Sequence, residues 1–233
     1  MEKAIIKLTL DQNVRLVFEK INNAKKRSAH KQNVELIAAT KTRDIVQIQT
    51  CYELGILSIG ENRVQEAEKK LKELPSFSSI KKRFIGHLQT NKVNKCLRLF
   101  DTIDSVDTLK LAEKINSSSQ LQKTECLIEI NTSGELQKKG FKPKLSKELM
   151  SCFSLENLDI VGLMTIGPYT TSEKEIRDSF QALRVFKDQI NQEFGENKLI
   201  ELSMGMSNDF ELGIEEGSTM VRVGTGIFGP RNY

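Results

Sequence analysis

Val34-Glu35-Leu36-Ile37-Ala38-Ala39 is a short, nearly continuous apolar run, followed at once by Thr40-Lys41. Such a run is expected of a strand covered on both faces, because neither face meets water. Upstream, Val14, Val17, Phe18 and Ile21 fall at i, i+3, i+4 and i+7, while Lys20, Lys25, Lys26 and Arg27 take polar positions. Roughly the first thirty residues therefore predict a helix. Downstream the chain alternates. Apolar runs recur at 56–59, 83–85, 99–103, 125–130, 158–164, 199–202 and 220–223, and segments with helical spacing lie between them, for example at 64–74, 91–97, 108–115, 145–153, 176–190 and after Ser207. With 34–39 this makes eight strands and seven intervening helices. Strict alternation implies a parallel sheet, since a parallel return needs a crossover element. Eight such repeats in about 200 residues fit a closed barrel better than an open sheet. The alternative is a doubly wound sheet, but no GxGxxG follows the first strand. The expectation is an α/β chain forming a single (β/α)8 TIM-type barrel with an extra N-terminal helix.

The chain has 233 residues, with 38% hydrophobic and 28% charged, as expected of a globular protein with a substantial core. Four prolines and no Gly/Ser-rich linker argue for one domain over 1–233, with residues 116–120 (NSSSQ) as a loop. A net charge of +4 is mild and calls for no nucleic acid; a phosphorylated small molecule suits it as well. The clusters Lys25-Lys26-Arg27 and Lys81-Lys82-Arg83 are short, lack interleaved aromatics, and read as solvated faces. Cys51, Cys96, Cys126 and Cys152 form no CxxC pair, and neither His30 nor His87 stands at metal-ligand spacing from them, so buried thiols are expected and no metal. Charges interrupt the N-terminal apolar residues, which excludes a signal-peptide core, and no run approaches the roughly 18 apolar residues of a membrane span. A cytoplasmic setting follows.

In a barrel the chemistry gathers at the carboxyl ends of the strands. The first strand ends on Lys41. One reading is a lysine whose stem packs on the barrel while its ammonium reaches water. The other is a desolvated amine with a lowered pKa, poised to attack an aldehyde. The last strand runs Met220-Val221-Arg222-Val223 into Gly224-Thr225-Gly226, where backbone N–H groups and the Thr225 hydroxyl can approach an oxyanion. Before it, 202–207 (LSMGMS) reads as a second polar turn into a helix, with Ser207 either a phosphate donor or an N-cap paired with Glu211. The charge of Arg222 inside a strand needs compensation, by Glu61, by Asp104 or by a ligand atom.

Several segments, in order, carry a resemblance. They are 38–43 (AATKTR), 60–66 (GENRVQE), 84–92 (FIGHLQTNK), 130–135 (INTSGE) with 139–141 (KGF), 162–166 (GLMTI), 202–207 with Asp209, and 221–233. Together they closely resemble the pyridoxal phosphate homeostasis proteins, which are similar to the barrel domain of alanine racemase without its second, β-rich domain. The resemblance implies pyridoxal 5'-phosphate as cofactor, held on Lys41 as a Schiff base. It implies Arg222 at the pyridine nitrogen, and Ser207, Gly224 and Thr225 at the phosphate with Ser203 as a helper. Asn62 would sit at the cofactor rim and Met164 close to the ring, where the racemases place a histidine. Arg63 departs from the pattern, since many relatives carry an aromatic residue there.

Two functions follow from that resemblance. The first is a binding protein that buffers, carries or delivers the cofactor, with PLP-dependent apoenzymes as partners, no catalytic residue, and a monomeric state. The second is a PLP-dependent amino-acid racemase or decarboxylase. Arginine only donates hydrogen bonds, so Arg222 would leave the pyridine nitrogen unprotonated and weaken carbanion-forming steps. Racemisation also needs a second acid/base. Of Tyr52, Tyr169 and Tyr233, only Tyr169 is expected near the mouth, with packing of its own loop the preferred role.

Overall fold

The computed structural model describes residues 2–72, 79–119 and 122–230. A long helix α1 (Glu2–Arg27) precedes eight strands: β1 (Glu35–Ala39), β2 (Ser58–Glu61), β3 (Lys81–Phe84), β4 (Thr102–Val106), β5 (Thr124–Glu129), β6 (Leu158–Met164), β7 (Glu201–Met206) and β8 (Met220–Val223). Between and after them lie α2 (Ile45–Glu53), α3 (Val64–Leu71), α4 (Val93–Leu97), α5 (Leu109–Ser118), α6 (Lys147–Cys152), α7 (Glu173–Phe194), α8 (Phe210–Glu215) and a one-turn α9 (Thr225–Phe228). A 3-10 turn, Thr90–Lys92, leads into α4. Every adjacent strand pair is parallel, and β1 pairs with both β2 and β8, closing the barrel in sequence order. The fold is the (β/α)8 barrel with an N-terminal helix that the alternation predicts.

Strand periodicity sorts side chains into two environments. Leu36 and Ala38 of β1, with Val221 and Val223 of β8, pack outward under Val14, Val17 and Ile21 of α1. Ile37 points the other way and meets Leu127, Met164 and Met220 inside the barrel. Helix starts are specified locally. Asp44 and Gln47 form a reciprocal capping box at α2, and Thr108, Ser146 and Ser172 cap α5, α6 and α7.

Two strands lie further along than their apolar runs suggest. Leu99 and Phe100 donate their N–H groups back to Cys96 O and so finish α4, while β4 begins at Thr102. Its Thr102, Asp104 and Ser105 are buried yet paired, with Arg83, with each other or with Gly86 O, which hides the strand from an apolar count. Likewise Leu199 is held outside β7 by two bonds with the Asn191 side chain, 2.8 and 2.7 Å. Residues 203–206, expected in a turn, are strand, and Gly205 absorbs the register shift at φ +98°. α5 runs through Ser118, so 116–118 are helical rather than loop, and Gln120 lies outside the described residues. The predicted end of the third helix at Leu74 also falls outside them, as does Tyr233.

The cluster Lys81-Lys82-Arg83 is no solvated face. Arg83 is 2% exposed at the floor of the barrel, its guanidinium 2.9 Å from Glu35 and 3.3 Å from Asp104, while Lys81 bridges to Glu125 at 2.8 Å. Alternation along β3 turns Lys81 and Arg83 to one side, toward Glu125, and Lys82 to the other, which a local charge count does not register.

Candidate functional site at the carboxyl end of the barrel

A cavity of about 1150 Å³ opens at the carboxyl ends of the strands. Lys41, Arg222, Ser207, Gly224 and Thr225 all line it, so five of the residues singled out above meet in one place. Lys41 leaves β1 half-buried. The next residue, Thr42, has φ +64°, a costly backbone state for a β-branched side chain. The Thr42 N–H donates to Glu66 Oε1, and Lys70 Nζ donates to Thr40 O at 2.8 Å, so the turn is held from α3.

Arg222 is 5% exposed, and neither carboxylate considered for it is its partner. Asp104 pairs with Arg83 and Glu61 with Lys70 at 2.6 Å. The Arg222 guanidinium instead donates to Ser203 O at 2.8 Å, Ser203 Oγ at 2.6 Å and Thr165 O at 2.7 Å. These bonds leave part of its five-donor fork uncommitted, and the residue lines the cavity. Burial pulls its pKa below the ordinary arginine value, opposed by the negative charges of Asp104, Asp209 and Glu129. Ser203 is fully buried and does not line the cavity; its hydroxyl supports Arg222, so any help it gives a phosphate is indirect.

Ser207 is not an N-cap. Asp209 occupies the cap position of α8, and its Oδ1 accepts from Met206 N–H at 2.6 Å. The Ser207 hydroxyl instead accepts from Gly224 N–H at 3.2 Å and Gly226 N–H at 3.1 Å. Two backbone donors from the turn after β8 thus converge on one oxygen. A side chain at Gly226 would put Cβ 2.9 Å from Val223 Cγ1, so close packing demands glycine there. The remaining expectations are more peripheral. Met164 ends β6 at 1% exposure in the barrel interior, and Asn62 follows β2 half-buried with its backbone against Gly86; neither lines the cavity. Arg63 is exposed at the start of α3. Tyr169 does border the cavity, but its residue is 100% exposed, so it does not pack within its loop.

Lys138 and Asp209 also line the cavity, and the sequence assigns neither of them a role. Lys138 donates to Glu135 Oε1 and to Gly167 O, each at 2.6 Å, tying the loop after β5 to the loop after β6. Asp209 is mostly buried and burial raises its pKa, against the Met206 N–H bond and the charge of Arg222. Across the mouth, Glu129 at the end of β5 is pushed up to about 7 by burial and by Asp107, against Arg222, His87 and Lys139. His87 Nδ1 lies 2.8 Å from Asp107 Oδ2. Among the described residues no cluster of His, Cys, Asp or Glu is arranged to hold a metal ion, and no helix is long and apolar enough to cross a membrane.

Comparison with known proteins extends this geometry. The family model described as alanine racemase, N-terminal domain, matches residues 16–232. A pyridoxal phosphate homeostasis protein from Aquifex aeolicus (strain VF5) is 40% identical over 221 residues, 93% of this chain and 96% of its own. The Homo sapiens protein of that name is 37% identical over 211 residues, 85% and 77% of the two chains. The structure of PipY from Synechococcus elongatus PCC7942 with PLP bound superposes with a TM-score of 0.78 at 36% identity, over 84% of this chain and 92% of that one. Alanine racemase from Clostridium difficile 630 gives a TM-score of 0.74 at 17% identity over 95% and 58%, a likeness of fold. The chain belongs to the pyridoxal phosphate homeostasis protein family, built on the barrel of the alanine racemase N-terminal domain.

Proposed function

We propose that this chain binds pyridoxal 5'-phosphate in the cavity at the carboxyl end of its barrel and serves to buffer, carry or deliver it. The observation that carries the reading is the meeting of Lys41, Arg222 and the Ser207–Gly224–Gly226 oxygen cradle around one cavity. The donor set suits the group. A phosphate monoester needs several N–H and O–H donors around its oxygens; the Ser207 and Thr225 hydroxyls would offer two, and the Gly224 and Gly226 N–H groups, held here by Ser207 Oγ, would add two more on turning to the ligand. The cofactor's aldehyde supplies an electrophilic carbon that a lysine amine captures as a Schiff base with loss of water, and Lys41 is the lysine on the strand end beside the cradle. Arg222 would face the pyridine nitrogen with a donor, leaving that nitrogen unprotonated and the ring a weaker electron sink. Asn62 and Met164 would bound the ring at one remove, and Ser203 would act through Arg222.

Turnover is not part of the proposal. Tyr169 borders the cavity with its side chain entirely in solvent, so it is not fixed as the second acid/base that racemisation needs. Residues 1–233 would act as one cofactor-binding unit, as a monomer, with apoenzymes that need the cofactor as recipients. Four buried, unpaired cysteines suit a reducing cytosol. The test is to load the protein with pyridoxal 5'-phosphate and incubate it with a panel of L-amino acids. Binding without steady formation of D-isomers or amines is the expected result; sustained turnover contradicts it and favours a racemase or decarboxylase.

A further inference from the structure

The two peptide groups that flank the Cα of Lys41 are both gripped from α3, by a pair of side chains bonded to each other. On the N-terminal side, the Thr40 carbonyl accepts from Lys70 Nζ at 2.8 Å. On the C-terminal side, the Thr42 N–H donates to Glu66 Oε1, and that same oxygen accepts from Lys70 Nζ at 2.9 Å. Lys70 completes the set with Glu61 Oε1 at 2.6 Å, an oxygen that also accepts from Thr40 Oγ1 at 2.6 Å. The spacing is built into α3, where Glu66 and Lys70 stand one turn apart at i and i+4.

The cluster is poorly explained by stability alone. The Lys70 and Glu61 side chains are 12% and 1% exposed, and a buried ion pair roughly breaks even against apolar residues of the same volume. Glu61 Oε2 is the one buried side-chain nitrogen or oxygen without a hydrogen-bond partner among the described residues, a further cost. Meanwhile the turn it serves is strained. Thr42 at φ +64° persists only where its surroundings hold it, and the anchors are Lys70 and Glu66. An apolar residue at position 70 would pack α3 on the barrel without touching either flanking peptide group.

We propose that Lys70 is a positioning residue for Lys41: by fixing the peptide group before it directly and the one after it through Glu66, Lys70 keeps the Lys41 amine pre-organised for capture of an aldehyde ligand. This rests on the reading of Lys41 given above. Pre-organisation pays the ordering cost in advance, and freeing a single residue is worth about tenfold in affinity. The benefit is confined to ligands that bond to Lys41, because the phosphate cradle hangs from β7 and β8.

That confinement supplies the test. Dissociation constants for pyridoxal 5'-phosphate and pyridoxamine 5'-phosphate are measured on the wild type, Lys70→Met and Glu66→Ala, with thermal unfolding of each. The second ligand keeps ring and phosphate but has no aldehyde. The expected result is a roughly tenfold loss for pyridoxal 5'-phosphate in Lys70→Met, a smaller loss in Glu66→Ala, and little change for pyridoxamine 5'-phosphate. Equal losses for both ligands, or none for either, overturn the proposal. If Lys70→Met does not fold, Glu66→Ala, altered at a partly exposed site, decides by the same comparison. Borohydride reduction and peptide mapping of the wild type separate the two claims. Label on a lysine other than Lys41 removes the underlying reading, whereas label on Lys41 with unchanged variants removes only the role of Lys70.

Discussion

Glu129 ends β5 with its carboxyl nearly out of water, 7% exposed, between Asp107 and the positive charges of Arg222, His87 and Lys139. Burial is the largest influence and raises its pKa from 4.5 to about 7. The folded state therefore holds the Glu129 proton more tightly than the unfolded chain does. The resulting stabilisation is full below about pH 4.5 and is lost as pH rises through about 7. Glu129→Gln keeps the shape and removes the charge, so it should stabilise the protein by about 1–3 kcal/mol near pH 8 and far less near pH 5. Urea unfolding at the two pH values checks this, and equal gains at both would contradict it. Single residues of this kind were partly legible in sequence. Lys41 and Arg222 stood out because charge interrupts an apolar strand. Glu129 and Lys70 did not, because a carboxylate at a strand end or a lysine on a helix is ordinary until its neighbours are known.

At the scale of elements, the cradle is built from two turns, one after β7 and one after β8, with α1 packed behind both through α8 and α9. Asn13 of α1 reaches Ile227 O at 2.9 Å, and Arg43, in the turn after Lys41, donates to Gly229 O at 3.1 Å with its guanidinium 5.2 Å from the Phe228 ring. Ser207→Ala removes the oxygen on which the two glycine N–H groups converge. Affinity for pyridoxal 5'-phosphate should fall about tenfold, the worth of a hydrogen bond or two to an anion, while the melting temperature changes little. Calorimetric titration reads the first and a thermal scan the second; unchanged affinity would remove Ser207 from the phosphate site. Element boundaries followed from sequence where apolar runs and strands coincide, as at β6 and β8. They failed at β4 and β7, where buried polar residues paired inside the barrel and a glycine-absorbed register shift break the pattern on which an apolar count depends.

At the scale of the molecule, the barrel separates a floor that holds the strands together from a mouth that binds. The floor centres on Arg83 with Glu35, Asp104 and Glu125, contributed by four strands. Arg83→Met leaves Glu35 and Asp104 without the cation paired to them, while Glu125 keeps Lys81, and should cost about 3–5 kcal/mol of stability. The folded fraction should still bind pyridoxal 5'-phosphate with wild-type affinity, since nothing at the mouth is touched. Denaturant unfolding beside a binding titration checks both halves, and a large loss of affinity would contradict the division. Closure of the barrel also brings the end of β1 beside the turn after β8, joining Lys41 to residues more than 160 positions away. That juxtaposition is the core of the functional account. Its most direct test is to load the protein with pyridoxal 5'-phosphate, reduce with borohydride, digest, and map the modified lysine by mass spectrometry. The account predicts modification on Lys41 and its loss in Lys41→Ala; a cofactor found on a different lysine of the wild type, or on none, would contradict it.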